Sequence, residues 1–174
     1  MRWKWILGLF LFITEQGFCC TCFGESDTES SYKKSGFVAV IEVLDSDYEI
    51  FLDTLKAKEF FGVDVDLTST QTKRWFQRQF GNYTVRVNSL YKGDLKSDTL
   101  KIYTGVGGGD CGFKFKLDEK YVVYGRAWEE ADPYIKSTNE NYIWTDICTR
   151  TMIYNKMEEK RLQKLVEKSK RKNK

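Results

Sequence analysis

Apolar residues recur with a period of two through most of this chain and change to a helical period only near its end. Gly36 to Leu44 (GFVAVIEVL) is an apolar, β-branched run bounded by Ser35 and by Asp45-Ser46-Asp47, and it reads as a buried strand. Asn82 to Leu90 (NYTVRVNSL) alternates, with Tyr83, Val85 and Val87 on one face and Thr84, Arg86 and Asn88 on the other, as in a half-buried strand. Tyr91-Lys92-Gly93-Asp94 makes a turn, and Thr99 to Thr104 is the next strand. Gly105 to Asp110 (GVGGGD) reads as a flexible loop. Phe113, Phe115 and Leu117 alternate again, Asp118-Glu119 turns the chain, and Lys120 to Ala127 and Tyr142 to Cys148 are further strands. Five or six short strands at this spacing predict a small antiparallel barrel.

Two stretches break the pattern. Residues 45–81 read as an elaborated connection carrying Trp75, Phe76 and Phe80, with Tyr48 to Leu52 as a strand and Thr72 to Phe80 as a strand or a short helix. From Tyr154 the period lengthens. Ile153, Met157, Leu162, Leu165 and Val166 fall near one stripe, with Glu158, Glu159, Lys160, Lys164 and Lys168 elsewhere, which predicts an amphipathic helix packed on the sheet. The tail from Lys168 to Lys174 is strongly basic and reads as a solvated end, with contact to an anionic surface as the alternative.

Composition narrows the function classes. With 41% apolar and 16% aromatic residues the chain is too rich in core-forming side chains to be disordered. A length of 174 residues suits one domain. The net charge of +3 gives no reason to expect a nucleic-acid partner. There is no histidine, which removes Ser-His and Cys-His catalysis and the usual His-based zinc sites, so an enzyme is not expected and no cofactor of its own is expected. Three weaker signals stay at background. Gly105 to Asp110 lacks the Gly-Lys-Ser/Thr of a phosphate loop, Asn82-Tyr83-Thr84 fits the glycosylation pattern but opens a strand, and Glu129 and Glu130 are two acids in a turn.

Residues 1–19 combine a basic start (Arg2, Lys4) with an apolar run from Trp5 to Ile13, shorter than the roughly 20 residues that span a bilayer. They read as an export signal cleaved after Cys19, leaving residues 20–174 as a single domain. The alternative is a lipoprotein signal with Cys19 or Cys20 acylated, which would anchor the chain. Export implies an extracellular or periplasmic, oxidising setting, so Cys20, Cys22, Cys111 and Cys148 count as disulfides. Of the three pairings that four cysteines allow, the one joining Cys20 to Cys22 is disfavoured, because both side chains lie on one face of an extended strand. Two long-range pairings remain open.

With strands and cysteines placed, the chain resembles the tissue inhibitors of metalloproteinases. Cys20-Thr21-Cys22 is similar to their mature N-terminus, Asn82 to Gly93 to their second strand and the turn after it, and Asp110-Cys111-Gly112-Phe113 to their Cys-Gly-Tyr segment. Tyr121 to Gly125 resembles the strand that follows, and Cys148 matches the cysteine after the next one. The resemblance covers about residues 20–150 and implies a netrin-like, OB-fold-like five-stranded antiparallel barrel with a C-terminal amphipathic helix. It implies the bridges Cys20–Cys111 and Cys22–Cys148. It further implies that the α-amine and carbonyl oxygen of Cys20 chelate the catalytic zinc of a partner metalloproteinase, displacing its water. Thr21 would enter the pocket beyond the scissile bond, and Cys22, Gly109 and Asp110 would flank the cleft. A monomer is implied, touching a membrane only through a lipid anchor or the basic tail. The family's third bridge in this domain has no counterpart here, and Gly108-Gly109-Asp110 replaces its polar-then-apolar pair. The alternative function is a netrin-like binding module without inhibitory activity.

Overall fold

The computed structural model of the protein describes residues 22, 27–107, 110–127 and 142–172. In chain order they form α1 (Thr28–Lys34), β1 (Phe37–Leu52), α2 (Thr54–Phe61), α3 (Thr70–Phe76), β2 (Gln77–Lys92), β3 (Thr99–Gly105), β4 (Lys120–Ala127), β5 (Tyr142–Trp144), β6 (Met152–Ile153) and α4 (Lys156–Lys172). The fold is mostly β and carries a C-terminal helix. Its strands pair in the order β1-β2-β3-β5-β4, and β4 returns to β1, so five strands close a ring, with β6 attached to β4.

One seam of the ring corrects the expectation of a wholly antiparallel sheet. Strands β3 and β5 run parallel, Lys101 opposite Tyr142 and Tyr103 opposite Trp144, while the other four pairings in the ring are antiparallel. The reason is parity. Antiparallel neighbours alternate in direction, and alternation cannot close around an odd number of strands, so a five-strand ring needs a parallel pair.

The apolar run at the start of β1 is continuous because both of its faces are buried. Phe37, Ala39, Ile41 and Val43 point inward with Tyr83, Val85, Leu100, Ile102, Tyr121 and Val123. Val38 and Val40 point outward, with Val122 and Tyr124 of β4, and are covered by Leu162 of α4 and partly by Tyr32 of α1. Alternation along β2 holds as expected, with Tyr83 and Val85 buried and Arg86 exposed. Shifts of register at Val38/Ala39, Val40/Ile41 and Val43/Asp45 bend β1 so that it serves both β2 and β4.

Four local expectations need correction. The connection over 45–81 is mostly hairpin: β1 continues to Leu52, opposite Gln77, and α2 and α3 form the tip. The strand assigned to Tyr142–Cys148 stops at Trp144, because Asp146 turns the chain. Phe113, Phe115 and Leu117 form no strand; Phe115 is buried and Phe113 packs on the core, but Leu117 is exposed. On α4 the expected stripe is displaced. Leu162 is fully buried, whereas Met157 and Ile153 are 64% and 62% exposed, and Glu158, assigned to the polar side, is only 2% exposed. Asn82 is also buried, its Nδ2 donating to Glu49 at 3.1 Å, so the folded chain offers no room for a glycan there.

Candidate functional site

Two segments distant in sequence meet at a covalent joint. Cys22 and Cys148 form a disulfide across 126 residues, with Cα atoms 5.0 Å apart, well within the usual span for such a bond. Cys111 is disulfide-bonded as well. Its partner lies outside the described residues, as do Cys20, Thr21 and Gly109, so the implied Cys20–Cys111 bridge falls there. A backbone hydrogen bond draws the two cysteine segments together: the Ile147 N–H donates to the Cys111 carbonyl at 2.9 Å. Cys22, Cys111 and Cys148 thus belong to one patch of surface.

The segment bearing Cys148 is held by its own polar residues. Asp146 accepts from the N–H groups of Cys148 and Thr149, both at 2.9 Å, and the Thr149 hydroxyl donates to the Asp146 carbonyl at 2.7 Å. This is the local side-chain capture of backbone donors that makes Asp a turn residue. Asp146 is anchored in turn by Arg126 of β4 at 3.3 Å. Beneath the turn, the buried hydroxyls of Thr145 and Thr151 lie 2.6 Å apart, and Thr145 donates to the Tyr124 carbonyl at 3.1 Å. The Tyr124 N–H donates to Thr151 at 3.0 Å. Cys148 is therefore presented from a turn fastened to the centre of β4.

Asp110, expected at the rim of the protease cleft, spends its carboxylate on its own loop. It accepts from the N–H groups of Val106 and Gly107, both at 2.7 Å, and of Gly112 at 3.2 Å. Converging N–H groups in a glycine-rich turn form an anion nest, and here the anion is the chain's own side chain. The described part of the loop is clamped rather than flexible. Gly112 is required by contact: a Cβ there would fall 1.9 Å from the Gly105 carbonyl oxygen. Cys111 itself has a φ of +59°, uncommon outside glycine, so the loop sets its side-chain direction at some cost in backbone strain.

The strongest electrostatic feature is Glu158, buried where α4 meets α1 and β4. Its carboxylate accepts from the Thr28 hydroxyl at 3.0 Å and from the Tyr124 hydroxyl at 2.6 Å. Arg150 holds it at two points, Nε to Oε1 at 2.5 Å and Nη2 to Oε2 at 3.1 Å, and Arg161 adds a contact at 3.4 Å. Burial alone would push this carboxyl up. Hydrogen bonds from Arg150, Tyr124 and Thr28 outweigh that and hold it down at about 2. Burial, and then the neighbouring carboxylate, push the Tyr124 phenol far up, so it stays a donor. Arg150 lies two residues beyond Cys148, and Thr28 opens the helix that follows Cys22. One buried charge therefore braces both sides of the Cys22–Cys148 bridge.

Asp146, Arg150, Thr151 and Glu158 were not singled out as site residues by the pattern of the chain. The spacing Asp146-Ile147-Cys148-Thr149 carries a turn signature that could have marked the first. Nothing local marks Glu158 as buried, because two of its partners, Thr28 and Tyr124, come from distant parts of the sequence. Among the described residues there is no group of three or more His, Cys, Asp or Glu able to hold a metal, and no helix long and apolar enough to cross a membrane. Glu129 and Glu130 lie outside the described residues. No protein-family model and no curated protein matches the chain.

Proposed function

We propose that the protein is a secreted inhibitor of zinc metalloproteinases, acting through the α-amine and carbonyl of Cys20 once residues 1–19 are removed. The observation that carries this reading is the Cys22–Cys148 bridge, formed as the resemblance implies and joined to the Cys111 segment through Ile147. A chelating terminus must be rigid before it binds, since ordering it on the enzyme would cost affinity. A bridge two residues from the chelating amine, seated on a turn clamped by Asp146 and braced by Glu158, provides that rigidity. The five-strand ring with its β3–β5 parallel seam supports an OB-like, netrin-type barrel as the support for this ridge.

The chemistry needs no metal in this chain. A catalytic zinc with three protein ligands keeps a fourth position for water, and a neutral amine with an adjacent carbonyl oxygen fills it as a chelate. An α-amine has a reference pKa of roughly 7.7–8.0, so the neutral form is accessible near neutral pH. Thr21 would follow the amine into the enzyme's pocket, with the loop of Gly109 and Asp110 beside it.

The test is to lengthen the terminus by one residue. An Ala placed before Cys20 in the mature protein moves the amine by one peptide unit and leaves both bridges possible. Inhibition of a panel of zinc metalloproteinase catalytic domains is expected to disappear while the melting temperature is unchanged. Undiminished potency would reject chelation. Mass spectrometry of the mature terminus supplies the companion measurement: an acylated Cys20 has no amine to donate, and the chain would then be a lipid-anchored binding module.

A further inference from the structure

Beside the Cys22–Cys148 bridge, between α1 and α4, lies an open cleft of about 940 Å³. Its α4 wall is basic. Arg161, Lys164 and Lys168 follow one another at spacings of three and four residues, which puts them on one face of the helix over about 10 Å. Arg161 leans toward Glu158, whereas Lys164 and Lys168 make no hydrogen bond or ion pair in the described structure. The opposite wall holds Asp27 and Glu29, at the start of α1. Both are engaged mainly by their own helix: Asp27 accepts from the Ser30 N–H, and Glu29 pairs with Lys33 at 2.8 Å, with Lys168 across the cleft adding a weaker attraction that helps hold the Glu29 carboxyl down. The apolar part of the lining is Ile147, Leu165 and the disulfide.

We propose that this cleft binds an acidic peptide segment of a partner protein, with carboxylates along the α4 wall and one apolar side chain against Ile147 and Leu165. Two ammonium groups in line, Lys164 and Lys168, neither held in a direct ion pair, favour a ligand with successive negative charges. The recess favours a chain over a flat bilayer, which cannot reach between two helices. The carboxylates of Asp27 and Glu29 oppose a polymer charged on every side, such as a sulfated glycan, but tolerate a peptide that presents its acids along one edge and its backbone N–H groups along the other. The site does not use the Cys20 amine, so it stands or falls apart from the inhibitory reading.

The experiment is an NMR titration of the isotopically labelled protein with the peptide acetyl-Glu-Glu-Leu-Glu-Glu-amide, its counterpart with Lys in place of Glu, and a heparin tetrasaccharide. Saturable shifts confined to the amides of 147–150 and 161–168 are expected with the acidic peptide alone. Its affinity is expected to fall about tenfold when salt rises from about 20 to about 200 mM, as the Debye length contracts. Lys164→Glu with Lys168→Glu, both at exposed positions, is expected to weaken binding at least about tenfold without lowering the melting temperature. Absence of saturable shifts, shifts centred elsewhere, or undiminished binding by the double variant would overturn the proposal. Tighter binding of the heparin fragment than of the peptide would also overturn it, in favour of a sulfated polymer.

Discussion

Replacing Glu158 with Gln keeps the shape of the side chain and removes its charge, and the cost should depend on pH in a defined way. The native carboxyl titrates at about 2, against 4.5 for the free group. That difference of about 2.5 units corresponds to about 3 kcal/mol of stability in favour of the ionised form. Because the native value is depressed, the stabilisation is fully present above pH 4.5 and is lost as pH falls from there toward 2. At pH 7 the variant should therefore unfold about 3 kcal/mol more easily than the parent, a large share of a typical domain's 5–15 kcal/mol. The gap should shrink by about 1.4 kcal/mol per pH unit below 4.5. Urea unfolding of both proteins, bridges intact, at pH 7, 5, 4 and 3 measures this directly. Other carboxylates such as Glu159 and Asp66 titrate alike in both proteins and cancel in the difference. A gap that does not change with pH, or one below about 1 kcal/mol at neutrality, would refute the assignment of Glu158 as the buried charge bracing the bridge.

Two further outcomes follow from the packing. Cys22→Ala with Cys148→Ala opens a loop of 126 residues and should lower stability by up to about 5 kcal/mol, read as a lower urea midpoint. Leu162→Ala removes the one fully buried apolar side chain of α4 and should cost about 2–5 kcal/mol; a change under about 1 kcal/mol would mean that the helix is held by its polar contacts alone.

Much of the sheet was legible because alternation needs no distant information. Tyr83 and Val85 are inward-facing by sequence pattern alone, and Lys120 to Ala127 begins and ends where expected. The hairpin was less legible. Asp45-Ser46-Asp47 looks like a turn, yet these residues pair with Thr84, Tyr83 and Asn82, because a partner strand satisfies their backbone and lets their side chains face water. The stripe on α4 was misplaced for the opposite reason. Hydrophobic period locates a face by its apolar residues, and the face that is buried here includes a carboxylate.

What the sequence determined unaided is local: the period-two runs, the terminal helix, the cysteine positions and the absence of histidine, all consequences of side-chain periodicity and residue chemistry. What only the tertiary structure decided is pairwise. The parallel β3–β5 seam follows from ring closure, and the role of Asp110 from three N–H groups that turn back toward it. Glu158 is stabilised by Thr28, Tyr124 and Arg150, which lie 130, 34 and 8 residues away. A buried charge is tolerable only when its partners are in place, and no stretch of sequence read alone contains them.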